Sequence, residues 1–452
     1  MANLVEQLRN WLLKKRPFRM KRLAKDPVKP SKVNETLTEL PPEIEQKLKT
    51  LVHELPSHPD SKSAVLEALS DAIAHWQEHP SATNNSLIVI ASPVSAVARI
   101  LTESLTDWAD ENKLTLVPLN WVERPVDSQE IKSKLREKLA VDDAEPSTSV
   151  AVIPNLSWCF LRTAEGLDGI DYLRDELLGD RRRFWIIGSG QVGFRYLNSV
   201  LKLQAHCGEV ITLPKLSGQQ MQDWLMPVIE TLNIQLDEDS IRERLQELKE
   251  ASSESPTKTT VALIDGTVVF LRSLFRSVKQ DTLSLNPETA KDDGSDSSWQ
   301  EYFRRLARLS DGVGTIALQL FVKSIYYDKE RKADKTTEPS NAAHKPEAND
   351  SDQEVALRHN VVCKLPRLPA LPEIEQNELY ILYSLLVHGD LTLSALADSL
   401  GEETPWVNNS VQILRSSGLI EQRDHILKVN PLHYPQLKRK LASNNFVINI
   451  QD

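Results

Sequence analysis

Long apolar runs are missing from this 452-residue chain, and no stretch approaches the roughly 18 residues that a membrane span needs. The sequence therefore predicts no transmembrane helix. A secretory signal is not expected either, because "LVEQLRNWLLKKRPFRMKR" places its positive charges after its short apolar stretch. Cysteine is scarce: Cys159, Cys207 and Cys363 lie far apart with no C-x-x-C spacing, as expected of reduced core thiols in a cytoplasmic protein. The ten histidines form no H-E-x-x-H or other close ligand pair, so no metal is expected. No G-x-S-x-G elbow points to a serine hydrolase. The acidic pairs Asp142-Asp143, Asp292-Asp293 and Glu402-Glu403 fall in predicted loops, where solvation explains them.

What is present is a globular composition, 40% hydrophobic and 26% charged, in a length that predicts two or three domains. The net charge of −10 conceals an asymmetry. Residues 1 to 32 carry ten Lys/Arg against two acids, a local +8, which leaves about −18 for the rest. Leu4, Val5, Leu8, Trp11 and Leu12 recur at helical spacing, and Lys14, Lys15, Arg16, Arg19, Lys21 and Arg22 follow. Such a segment suits an acidic protein partner or the anionic inner face of a membrane; a solvated tail is the plainer alternative.

One stretch suggests a cofactor. In "WIIGSGQVGFRYL" Gly188, Gly190 and Gly193 have the G-x-G-x-x-G spacing of a dinucleotide turn. That fingerprint belongs after the first strand of its unit, with a carboxylate ending the next strand. Here "SLIVIA" and "SVAVIP" come earlier, and the following strand "EVITLP" ends in Pro214-Lys215. No cofactor is expected.

Strands and amphipathic helices alternate from 84 to 214, which predicts a mainly parallel α/β domain. A helical lead-in precedes it at 33 to 83. Helices follow at 215 to 327, with Ser217 as an N-cap candidate and further helices in "SIRERLQELKEA" and "TVVFLRSLFRSV". Residues 328 to 372 read as a flexible linker, being polar and without periodicity over much of their length. Residues 373 to 452 show three helices and a ribbon turning at Arg423-Asp424-His425, the pattern of a winged helix.

This order resembles the P-loop ATPases of the AAA+ and STAND type over 84 to 452, with "LPKLSGQQMQDWL" and "LARLSDGVGTIAL" resembling the start and the closing helix of their helical lid. The resemblance implies a P-loop NTPase-like parallel sheet with a helical lid and a C-terminal winged-helix domain. It does not extend to the chemistry. Phosphate binding needs glycines, a Lys and a Ser/Thr, whereas the matching positions hold Ala91, Ala96, Val97 and Ala98. Metal-holding carboxylates should end "SVAVI", but Pro154 and Asn155 follow. Ser189 stands at the polar sensor position and Thr315 where the lid's sensing arginine would be; the trans-acting arginine is absent around His206. Arg181, Arg182 and Arg183 read as a solvated turn. A pocket beside Ala91 to Ala98, filled by side chains, is expected.

The sequence thus predicts a catalytically inactive scaffold or regulatory subunit acting through protein contacts, with an integral membrane protein or anionic membrane surface as a candidate partner. A winged-helix DNA-binding regulator is the first alternative. Asn408, Asn409, Gln412, Arg415 and Arg423 would form its surface, but residues 378 to 452 hold six Lys/Arg against eight acids, which favours protein contact. An ATP-binding switch with an atypical site is the second alternative.

Overall fold

The computed structural model describes residues 37–79, 85–112, 114–119, 121, 123–125, 127–139, 149–237, 294–329 and 360–448. The basic segment 1 to 32 and the helices expected in "SIRERLQELKEA" and "TVVFLRSLFRSV" lie outside these residues.

Strand β1 (Leu37–Thr38) leads into helices α1 (Pro42–Glu54) and α2 (Pro59–Glu78). Strands β2 (Ser86–Ala91), β3 (Thr115–Pro118), β4 (Ser149–Ile153), β5 (Arg183–Gly190) and β6 (Glu209–Thr212) then alternate with α3 (Val97–Asn112), α4 (Ser128–Leu139), α5 (Asp168–Gly179) and α6 (Gln191–Leu201). These strands form one parallel sheet in the order β3-β4-β5-β2-β6. Near-continuous apolar strands suit a sheet covered on both faces. Ile88, Ile90, Ala151, Ile153, Trp185 and Ile187 enter one core with α4, α5 and α6. Their alternates Leu87, Val89, Val150, Val152, Phe184 and Ile186 pack with α2 and α3 on the other face.

Beyond the sheet come α7 (Gly218–Leu232), β7 (Gln235–Leu236), α8 (Gly294–Leu309), α9 (Gly314–Lys323), β8 (Ile325–Asp328) and β9 (Val361–Cys363). Ser217 caps α7 as expected: its hydroxyl accepts from Gln220 N–H, and the Gln220 side chain accepts from Ser217 N–H, a capping box. The C-terminal unit comprises α10 (Gln376–His388), β10 (Leu391–Thr392), α11 (Leu393–Leu400), α12 (Thr404–Ser416), β11 (Ile420–Arg423), β12 (Ile426–Val429) and α13 (Tyr434–Ser443). Its strands make an antiparallel sheet, β10-β12-β11. The expected ribbon turns at Asp424 and His425, which both take positive φ, as a two-residue hairpin turn requires.

A second sheet, β1-β8-β9-β7, was not anticipated. Ile325–Asp328, expected to end the helical region and open the linker, is a strand, and Val361–Cys363, expected in the linker, is a buried strand paired with it. Asp328 N–H donates to Asn360 O at 2.9 Å, so the residues between leave and return at one point. The C-terminal unit is not tethered at a distance; its side chains join the same core as the parallel sheet and the lid.

Candidate functional site

In an open parallel sheet, ligands bind outside the strand C-termini where neighbouring strands send their helices to opposite faces. Here that point lies between β2 and β5. Ala91 pairs with Gly190 at the ends of these strands, α3 leaves β2 onto one face, and α6 leaves β5 onto the other. The turn Ser92–Ala96 connects β2 to α3 and is flanked by two clefts.

The first cleft lies between this turn, the loop after α1 and the lid, and its walls include Arg99, Lys215, Trp224, Asp311, Thr315 and Lys438. It holds about 1140 Å³ of non-protein space, part of it open to solvent. The expectation of a filled pocket is therefore corrected: alanines at 91 and 96 leave room that no neighbouring side chain occupies. The second cleft lies between the same turn and the C-terminal unit, lined by Ala96, Val97, Ala98, Asn155, Gly389 and Lys428 among others. Of the sequence-derived positions, Ala91, Ala96, Val97, Ala98, Asn155 and Thr315 thus converge on one turn. Pro154 and Ser189 do not line either cleft. Ser189 is buried and donates to the Gly190 carbonyl at 3.3 Å. Asn155 Oδ1 accepts from the Ser157 amide at 3.2 Å and hydroxyl at 2.7 Å, capping a short helical turn.

The cations near the turn are committed. Arg99 Nε pairs with Glu103 at 2.6 Å, and its Nη2 donates to Leu55 O at 2.7 Å. Glu103 also accepts from Ser57 N–H at 2.7 Å. Burial works to raise the Glu103 pKa, but the Ser57 and Arg99 hydrogen bonds outweigh it and the net direction is downward. Arg99 and Glu103 together clamp the loop after α1 onto α3. Lys215 and Lys438 reach opposite oxygens of Asp311, at 3.1 and 3.4 Å. Lys428 pairs with Asp390 at 3.4 Å.

The most densely bonded polar cluster was missed. Arg124, fully buried in the connection between β3 and α4, donates through Nη1 to His388 O at 3.2 Å and Asp390 O at 2.7 Å. Its Nη2 donates to Ser157 O at 2.8 Å and Phe160 O at 3.1 Å. It also pairs with the Asp390 carboxylate at 3.3 Å, which accepts from Trp158 Nε1 at 2.9 Å. His388 Nδ1 lies 3.3 Å from Arg124 Nη2 and must accept, so its proton sits on Nε2. Burial first, then Arg124 and Arg162, holds the His388 pKa well below the ordinary histidine value. A lone arginine in a loop has no periodicity to announce it.

The glycine spacing has a packing cause. A Cβ on Gly188 would meet Pro154 O at 2.4 Å, and one on Gly193 would meet Val387 O at 2.4 Å. Gly193 lets α10 of the C-terminal unit lie directly on α6. The strand order also differs from the 3-2-1-4-5-6 of a dinucleotide-binding sheet. Arg183, expected in a solvated turn, is instead buried, donating to Leu139 O at 3.1 Å and paired with Asp180 at 3.5 Å. Arg182 is exposed as expected. On α12, Asn408, Gln412 and Arg415 bond in sequence, Gln412 to Asn408 at 3.3 Å and Arg415 to Gln412 at 3.2 Å. Arg423 is 85% exposed at the end of β11. The docking candidates Leu8, Trp11, Lys14, Lys15, Arg16, Arg19, Lys21 and Arg22 lie outside the described residues.

The sheet, its covering helices and its switch point define a P-loop NTPase-like α/β fold. Comparison with solved structures finds distant likenesses. The Thermotoga maritima RuvB Holliday junction branch migration motor aligns at 12% identity and a TM-score of 0.30, covering 83% of this chain and 94% of that one. Cdc6p from Pyrobaculum aerophilum gives 12%, 0.33, 86% and 96%, and the Aeropyrum pernix ORC2 protein 10%, 0.32, 87% and 98%. No protein-family model and no curated protein matches the chain. The fold class rests on the sheet itself, and these superpositions carry no function.

Proposed function

We propose that this chain is a catalytically inactive, P-loop ATPase-like scaffold or regulatory subunit that works through protein contacts. The observation that carries the proposal is the commitment of Arg99, Lys215, Lys428 and Lys438, each of which already meets a carboxylate of this chain. A triphosphate entering either cleft would have to compete with these carboxylates, and no lysine stands at position 97. Among the described residues no group of three or more His, Cys, Asp or Glu could hold a metal ion. Three helices backed by a three-stranded antiparallel sheet support reading the C-terminal unit as a winged-helix domain. Its α12 supports protein rather than DNA contact: Arg415 is the only charge on that helix and is tied to Gln412.

The basic segment 1 to 32 supplies the second docking element in this reading, toward an acidic partner or a peripheral position on the inner face of a membrane. No helix among the described residues is long and apolar enough to cross a membrane. The test is an affinity pull-down from detergent-solubilised membranes of the source cell. It compares the full chain with one in which Lys14, Lys15, Arg16, Arg19, Lys21 and Arg22 are replaced by Glu. A specific membrane protein recovered only with the unaltered chain is the expected result; equal recovery with both removes membrane docking through this segment.

A further inference from the structure

Helix α12 leaves two large apolar side chains partly exposed on one strip of its surface. Trp406 is 37% and Ile413 58% exposed, although Val407, Val411 and Leu414 on the same helix are buried. Seven positions separate Trp406 from Ile413, two turns or roughly 10 Å along the axis, so both lie on one face. Exposed Asn409 sits between them. Arg415 follows Trp406 by nine positions and so lies about half a turn round the helix, off this strip. At the N-terminal end of the strip, Asp398, Glu402 and Glu403 are all exposed, and no ion pair among the described residues engages them. Arg162, which approaches this end, spends its guanidinium on Ser399 O at 3.1 and 3.2 Å. The surface thus runs from acidic to apolar along α12.

The segment before β1 runs in the opposite order. Leu4, Leu8, Trp11 and Leu12 come first, and Lys14, Lys15, Arg16, Arg19, Lys21 and Arg22 follow. Laid antiparallel on α12, its apolar residues fall over Ile413 and Trp406 while its cations pass the Asp398, Glu402 and Glu403 carboxylates. A parallel arrangement would put the cations beside the uncharged Ser416 and Ser417. We propose that the N-terminal segment docks intramolecularly and antiparallel on the Trp406–Ile413 face of α12. There it competes with whatever partner or lipid surface the segment otherwise engages. The inference deepens the reading of residues 1 to 32 as a docking element: the C-terminal unit holds that element until a partner with a stronger anionic surface takes it.

The experiment uses the full chain with a photoreactive phenylalanine analogue in place of Leu8, mixed as light and isotopically heavy copies. Mass spectrometry then locates the cross-links. The expected result is cross-links within one copy, to residues 402 to 413, falling by about tenfold in Glu402→Lys/Glu403→Lys. Ile413→Ser should have the same effect, and because Glu402, Glu403 and Ile413 are exposed, the melting temperature should hold in both variants. Cross-links between light and heavy copies, to another surface, or to none, overturn the proposal. In parallel, binding to phosphatidylserine-containing vesicles should be about tenfold tighter for the Glu402→Lys/Glu403→Lys chain than for the unaltered one. Equal, measurable binding by both would contradict sequestration. If neither chain binds vesicles while the intramolecular cross-links persist, docking on α12 stands and the membrane reading alone falls.

Discussion

Two places at the C-terminal edge of the parallel sheet differ sharply in chemistry. At the turn after β2, where an ATPase-like sheet would hold phosphate, positions 91, 96, 97 and 98 carry only apolar side chains. Beyond β4, which β5 separates from β2, the polar atoms of Ser157, Trp158, Arg124, His388 and Asp390 form a buried hydrogen-bonded joint between the sheet and the C-terminal unit. Polar groups are costly to bury unless they are paired, so their concentration marks where a fixed arrangement is enforced. The contrast teaches that this edge of the sheet holds its own C-terminal unit through buried polar groups, whereas positions 91, 96, 97 and 98 beside the turn after β2 are apolar.

That comparison breaks most severely at Arg124. Arg124→Met leaves the Asp390 carboxylate and several carbonyls without their buried donor, which should cost about 3–5 kcal/mol in urea denaturation. By the same comparison, Ala96→Lys at the exposed end of the turn after β2 should change stability far less. Next in size is Gly193→Ala, whose Cβ would collide with the Val387 carbonyl of the C-terminal unit; about 1–3 kcal/mol should be lost, read as a lowered melting temperature. Gly179→Ala is the control, since a Cβ there meets nothing within 4 Å, and helix propensity makes it neutral or stabilising by up to about 1 kcal/mol.

A sharper distinction comes from removing residues 330 to 359 and closing β8 to β9 with a short turn. If the joint rather than the connection holds the C-terminal unit, the shortened chain should gain up to about 2 kcal/mol from the smaller loop. A large loss of stability would show that those residues are needed. The smallest effect is a pH slope. His388 stays neutral when folded but takes a proton near pH 6.5 when unfolded, so the unfolded chain binds more protons below that pH. Its contribution to stability is full above about pH 6.5 and declines as pH falls, by at most about 1.4 kcal/mol per unit. His388→Asn should flatten the slope between about pH 6.5 and 5, measured by urea titration at several pH values.

Strands β2, β4 and β5 of the parallel sheet were legible because each holds an apolar run of ordinary length, and α7 because its cap residues are local. The second sheet was not. Its strands have two to four residues, and Leu37 pairs with Asp328, so neither periodicity nor neighbouring turns report it. The convergence of Ala91, Ala96, Val97, Ala98, Asn155 and Thr315 on one turn followed from element order. Arg124 and Asp390 escaped notice because their partners are mostly main-chain carbonyls and residues far along the chain. Arg183 was misplaced for a related reason: its charge suggests solvent, and only tertiary contact with Asp180 and Leu139 O makes burial tolerable.

The central proposal is that the cleft beside the turn after β2 neither holds nor hydrolyses ATP. Isothermal titration of the full chain with magnesium ATP, with phosphate release followed in the same samples, tests it most directly. The account predicts no heat of binding at millimolar ATP and no phosphate above the buffer blank. Saturable binding in the micromolar range, or turnover abolished by Arg99→Ala or Lys438→Ala, would contradict it.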